Sequence, residues 1–206
     1  MNFFAQAAWI NGQWSHDVRL TVDQNGLWSA IATDQACQPD DARVGVILPG
    51  LTNAHSHAFQ RAMAGLSEQG SAAGDNFWRW RQAMYQVALN ISPAQLETVA
   101  TWLYAELLSQ GYTHLCEFHY IHCDPKGNPY ADGAEMSWAL VRAAQHVGIG
   151  LTLLPTLYQH RGFDRQGLQT DQRRFASTPE SILAIRDQIQ HHAIQEKKPH
   201  LLNAGV

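Results

Sequence analysis

The chain has 206 residues, with 14 Lys and Arg against 18 Asp and Glu, for a formal net charge of −4. Hydrophobic residues make up 45% of it, close to the ~45–50% of ordinary globular domains, which excludes a disordered chain. A pI near 6.2 with no Lys/Arg cluster argues against nucleic acid or an anionic membrane surface as partner. No apolar run approaches the roughly 20 residues that span a bilayer.

The start, MNFFAQAAWINGQW, lacks a basic n-region and breaks at Asn11-Gly12, so it does not read as a secretory signal. The cysteines Cys37, Cys116 and Cys123 are odd in number and lack C-x-x-C spacing, which fits a reducing cytoplasm. Asn11-Gly12 between AAWI and QW predicts a hairpin, because a type I′ turn needs positive φ at both central residues. Val18, Leu20 and Val22 alternate with polar neighbours as a half-buried strand does, and Asn25-Gly26 marks the next turn. Residues 1–45 are therefore expected to form a small antiparallel β subdomain.

From Val44 the pattern changes. VGVILPGLTNAHSH opens with an apolar run, as expected of a strand buried on both faces. Ser92, Pro93 and Gln95 form a capping-box start for a helix striped with Leu96, Val99, Ala100, Leu103, Leu107 and Leu108, and Gly111 stops it. YTHLCEFHY reads as a strand. Asp132 and Glu135 cap a second helix carrying Met136, Leu140, Ala143 and Val147, which Gly148 ends. IGLTLLPTLY is a buried strand, Thr178-Pro179 opens a third helix with Ile182, Ile185 and Ile189, and PHLLNAGV begins another strand. Strands alternating with capped helices predict an α/β fold with a parallel sheet. A complete (β/α)₈ barrel needs about 250 residues, so residues 46–206 correspond to roughly the first half of one.

His55-Ser56-His57 ends the first apolar strand. Residues i and i+2 of a strand face the same way, so both imidazoles can converge on one metal ion. The alternative is a pair of capping histidines satisfied by backbone carbonyls. The end of a barrel strand is where such folds place their chemistry, which favours the metal reading.

PGLTNAHSH resembles the first-strand metal motif of the amidohydrolase superfamily, in which a metal-bearing barrel accompanies a small N-terminal β-sandwich domain. The blocks HSHAFQRAMAGLSE, FWRWRQAMY, EFHYIHCDPKGNPYAD and GIGLTLLPTLYQHRGF are similar, in that order, to the formimidoylglutamate deiminase family within it. The resemblance runs from the first hairpin to Val206. It implies zinc-dependent hydrolysis of N-formimidoyl-L-glutamate to N-formyl-L-glutamate and ammonia in histidine degradation, with one Zn²⁺ (or another divalent ion) per full-length subunit. It also implies a cytoplasmic enzyme, homo-oligomeric when full length, with a small-molecule substrate and neither nucleic acid nor membrane as partner.

By the same resemblance His55 and His57 are zinc ligands, while Gln60, in H-x-H-x-x-Q, and Tyr120, in EFHY, contact substrate. For Gln60 the alternative is a helix-start surface residue, and for Tyr120 a phenol filling the barrel mouth. His119, adjacent to Tyr120, is expected to face the other way and to pack. His122 and Cys123 sit in a turn-rich loop without a convincing third ligand, and His191, His192 and His200 read as solvated or helix-end groups. Arg79 and Arg81 are expected to stack on Trp78 and Trp80. The family's remaining zinc ligands and its catalytic acid–base residues come from later strands, so none is expected before Val206, and the isolated chain is expected to be inactive. A different aminohydrolase, acting on a nucleobase or guanidino compound, and a non-catalytic fragment that folds by pairing are the competing readings.

Overall fold

In the computed structural model, which describes residues 1–65, 77–163, 165–196 and 200–206, Asn11 and Gly12 take φ of 51° and 81°. That is the geometry of the expected turn, and it joins β1 (Asn2–Ile10) to β2 (Gln13–Val22) in an antiparallel pair. β3 (Trp28–Ala32) continues the meander. β4 (Ala42–Ile47) returns to lie parallel to β1, giving the order β3-β2-β1-β4. Ala5, Ala8, Val18 and Leu20 are buried together on this sheet.

Two expectations change here. Among the described residues the first unit holds one mixed four-stranded sheet, not a β-sandwich or a purely antiparallel sheet. The apolar run after Val44 is also two strands rather than one. Its first part, β4, belongs to the N-terminal sheet, and pairing ends before Leu48-Pro49-Gly50, where Pro49 has no N–H to donate to a ladder. The compact units accordingly divide as Met1–Gly50 and Leu51–Val206, after Gly50 rather than after residue 45.

The second unit is built on a parallel sheet of β5 (Leu51–Ser56), β6 (Tyr112–His119), β7 (Gly150–Pro155) and β8 (Leu202–Ala204), in that order. Each strand pairs with its sequence neighbour. Leu115, Leu151 and Leu153 on the central strands are fully enclosed. β5, at the margin, is largely exposed except at Ser56, so it is not the strand buried on both faces that its composition suggests.

The helices between the strands start and stop where their capping chemistry dictates. Ser92 Oγ accepts from the Gln95 amide and Gln95 Oε1 from the Ser92 amide, with Pro93 opening α2 (Pro93–Ser109). Gly111, at φ 87°, lets the chain turn out of that helix into β6. Asp132 holds the start of α3 (Glu135–Val147) from upstream, accepting the Ala134 amide and the Trp138 indole N–H. Gly148 closes it in the left-handed conformation. Thr178 and Ser181 box the start of α4 (Pro179–Gln195). The Ile182, Ile185 and Ile189 face of α4 is buried, as its spacing predicts.

One helix was not foreseen. Numbered in chain order as α1, Phe77–Asn90 buries Met84, Tyr85 and Ala88 on one face. Its aromatic opening, FWRWR, masks the helical period.

Candidate functional site

The chain leaves β5 at Ser56 and enters a short 3₁₀ helix, Ala58–Met63, with His57 as its N-cap. This turn puts His57 and Gln60 on the segment facing the end of β6. His55 and His57 form an edge-on ring pair with centroids 4.7 Å apart. His57 is half-buried while His55 is exposed. The His57 Nδ1 lies 3.0 Å from the Phe118 carbonyl. A carbonyl can only accept, so Nδ1 carries the proton and Nε2 keeps its lone pair. Burial holds the His57 pKa below the ordinary imidazole value against that hydrogen bond, and the His55 charge adds to the lowering. The ring is thus neutral, as a metal ligand must be.

Gln60 and Tyr120 meet in the same place. Gln60 Nε2 donates to the Tyr120 hydroxyl at 3.2 Å, and the Tyr120 ring lies 5.6 Å from that of His57. Tyr120 is only 8% exposed, and burial pushes its phenol up to about 12, so it stays protonated at neutral pH. It sits one residue past the end of β6, within an aromatic group containing Phe59, Tyr158 and Phe175.

Behind this surface lie Gln172 and Tyr85, which the sequence did not single out, together with Arg81. Gln172, fully buried, donates to the hydroxyls of Tyr85 and Tyr158, both at 3.2 Å. Arg81 donates through Nε and Nη2 to the Tyr85 hydroxyl at 3.0 and 2.8 Å, and its guanidinium lies over that ring. Arg81 therefore reaches Tyr85, one helical turn along, where an i, i+4 pair meets. The Trp78 side chain is outside the described residues. The i, i+4 spacing of Arg81 and Tyr85 was the available signal.

The other histidines sit elsewhere. His119 is 3% exposed, with its ring 5.3 Å from that of His122. Burial drives the His119 pKa well below the ordinary value and that of His122 down to about 4. His122 Nε2 donates to the Thr156 carbonyl at 3.1 Å. His119 Nε2 and His122 Nδ1 are enclosed without a hydrogen-bond partner. Arg174 lies against this region with no exposed surface. It donates to the carbonyls of Cys123, Ala88 and Ile91 at 2.8, 2.5 and 2.8 Å and to the Tyr130 hydroxyl at 3.2 Å. His191 and His192 lie within the last turns of α4, as helix-end groups do. Cys37, Cys116 and Cys123 are free thiols.

The donor set can be tested against a metal ion. Two adjacent imidazoles, one with Nδ1 anchored and Nε2 available, suit a borderline ion such as zinc. Among the described residues, however, no group of three or more His, Cys, Asp or Glu side chains is placed to hold a metal ion. His55 and His57 fit half of a zinc site.

No family model matches the chain. It is 44% identical over 187 residues to formimidoylglutamate deiminase of Pseudomonas aeruginosa, a match that covers 91% of the chain and 41% of that enzyme. Among solved structures, an amidohydrolase from Brucella melitensis superposes with a TM-score of 0.91 at 38% identity, over 100% of this chain and 45% of that one. An atrazine chlorohydrolase from Arthrobacter aurescens TC1, complexed with zinc, aligns with a TM-score of 0.69 at 15% identity over 99% of this chain and 46% of that one, a likeness of fold alone. The chain thus spans less than half the length of the relatives it matches.

Proposed function

We propose that the chain is the N-terminal portion of a formimidoylglutamate deiminase of the amidohydrolase superfamily, comprising the first half of its (β/α)₈ barrel. The 44% identity along 91% of the chain supports this reading. So does the convergence of His57, Gln60 and Tyr120 at the ends of β5 and β6.

In the proposed reaction, water adds to the formimidoyl carbon of N-formimidoyl-L-glutamate, and the C–N bond to the terminal nitrogen breaks. N-formyl-L-glutamate and ammonia leave. His55 and His57 would hold the zinc, His57 through Nε2. Zinc, when bound, supplies a Lewis acid that brings the pKa of water to about 7 and so furnishes a nucleophile at neutral pH. Phe118 keeps the His57 proton on Nδ1. Tyr120 remains a neutral donor able to orient a substrate oxygen or nitrogen, and Gln60, bonded to its hydroxyl, fixes that orientation. The two carboxylates of the substrate call for cationic or hydrogen-bonding partners. The other zinc ligands and the proton donor to the departing nitrogen are assigned to the part of such an enzyme that the chain does not span. The 206 residues alone are therefore expected to release no ammonia.

The test is a chimera joining this chain to the part of the Pseudomonas enzyme that it does not cover. Zinc-dependent ammonia release from N-formimidoyl-L-glutamate is expected. A folded, zinc-loaded chimera that ignores this substrate but deaminates a nucleobase would overturn the assignment.

A further inference from the structure

The most enclosed carboxyl among the described residues of the second unit lies directly behind the His55–His57 turn. Glu117 of β6, 1% exposed, stands in register with Ser56, the last residue of β5. Its Oε1 accepts the Ala58 amide at 2.6 Å, and its Oε2 accepts the Tyr104 hydroxyl at 3.3 Å. Tyr104, on α2, is itself completely buried. The Ser56 hydroxyl lies nearby but outside hydrogen-bonding geometry. None of these neighbours is a cation, so the carboxyl is enclosed without a charge partner, an arrangement that costs several kcal/mol unless hydrogen bonds offset it.

What those hydrogen bonds hold is specific. Ala58 opens the 3₁₀ helix, and its N–H is one that a helix leaves without an internal acceptor. Capping would normally come from the N-cap side chain, but that residue is His57, which makes no cap bond. Its ring is turned to the Phe118 carbonyl instead. Two consecutive residues of β6 therefore act on one imidazole. Phe118 fixes the ring through Nδ1, and Glu117 fixes the backbone immediately after it.

We propose that Glu117 is a positioning residue for the metal site, clamping the Ala58 amide so that the turn at His57 presents Nε2 toward the ion. The inference rests on the reading of His55 and His57 as ligands. It goes beyond that reading by assigning a role to a residue that touches neither metal nor substrate. Ligand-orienting partners of this kind typically carry ten- to a hundredfold in metal affinity.

The experiment compares the chain with its Glu117→Leu, Glu117→Gln and His57→Ala variants. Competition titration gives the zinc dissociation constant, and long-range ¹H–¹⁵N spectra of the histidines give the His57 tautomer. In the unaltered chain His57 should carry its proton on Nδ1, and the Ala58 amide should be protected from exchange. Glu117→Leu, which has no acceptor, should weaken zinc about tenfold or more and mix the His57 tautomers. Glu117→Gln, whose amide oxygen can still accept from Ala58, should stay within about threefold of the parent. A folded Leu variant with parental zinc affinity and parental tautomer would overturn the clamp. If that variant does not fold, the unaltered chain decides, because an Ala58 amide exchanging at loop rates, or a His57 protonated on Nε2, refutes it. Equal zinc binding by the parent and His57→Ala would instead refute the ligand assignment, while the tautomer and the Ala58 amide would still report on the clamp.

Discussion

The second unit contains two histidine pairs of nearly the same geometry and opposite character. His55–His57 and His119–His122 are both edge-on, with ring centroids 4.7 and 5.3 Å apart. In the first pair one ring is exposed and the other is held by a single carbonyl, so lone pairs remain within reach of solvent. In the second pair both rings are enclosed, and the guanidinium of Arg174 helps push the His119 pKa down. Proximity of imidazoles is thus not enough to make a cation site, because a buried pair beside a fixed positive charge repels a second one. Access and electrostatic surroundings separate the pair that can serve a metal from the pair that packs.

The largest test of that contrast is functional. In the chimera, His57→Ala should reduce ammonia release by at least a thousandfold, whereas His122→Gln should leave the turnover of folded protein within a few-fold of the parent. A catalytic loss at His122 as deep as that at His57 would erase the distinction.

Next comes the frame around the buried pair. Arg174→Leu would leave the carbonyls of Cys123, Ala88 and Ile91 and the Tyr130 hydroxyl without their donor. At about 1–3 kcal/mol for each buried group left unsatisfied, a loss of about 3 kcal/mol or more in unfolding free energy is expected. Denaturant titration would measure it, and a change below about 1 kcal/mol would contradict the role given to Arg174.

A third test uses pH. The His122 pKa falls from 6.5 to about 4 on folding, so the native state binds fewer protons between those values. Its contribution is fully present above pH 6.5 and is lost as the pH drops toward 4, by about 3 kcal/mol. Glu117 has the opposite sign. Burial lifts its carboxyl from 4.5 to about 7, so stability is lost as the pH rises through that window. The two slopes oppose each other in the parent chain. His122→Gln should reduce the acid-side loss, and Glu117→Gln should reduce the loss between pH 5 and 7, both read as differences in unfolding free energy. Parallel profiles for parent and variants would show that the two groups titrate as they do in the unfolded chain.

The smallest effects belong to Gln60 and Tyr120, which orient rather than activate. Gln60→Ala and Tyr120→Phe should each lower kcat/KM in the chimera by about tenfold. If Gln60→Ala alters neither kcat nor KM, its placement beside substrate is wrong.

Much of the second unit is legible in the sequence because its signals are local. Ser92, Thr178 and Gly148 act within one turn of their own positions, and α2, α3 and α4 begin and end where those residues say. His-x-His is equally local, and the two rings do meet. The rest depends on partners far along the chain. β4 and β5 read as one run because composition records apolarity and not which sheet takes it, and β4 is claimed by β1, whose pairing starts at Phe3↔Ala42. Gln172 and Arg174 look like ordinary surface residues of a polar stretch. Their roles come from Tyr85 and Ala88, more than 80 positions earlier. Glu117 is one letter of EFHY, and a buried carboxyl gives no sign of burial until the amide it serves is known.

The two sheets also differ in how they can be assembled in time. In the second, every strand adds beside the one made just before it, but each step must close a whole βα segment, bringing Tyr112 to Leu51, Gly150 to His114 and Leu202 to Leu151. The first sheet has no such order, because β1 must keep one side open through the synthesis of β2 and β3 until β4 arrives to fill it. During translation the edge of β1 waits from Phe3 until Ala42 arrives, and that of β5 waits longer still, from Leu51 until Tyr112, each an opening for mispairing while it lasts.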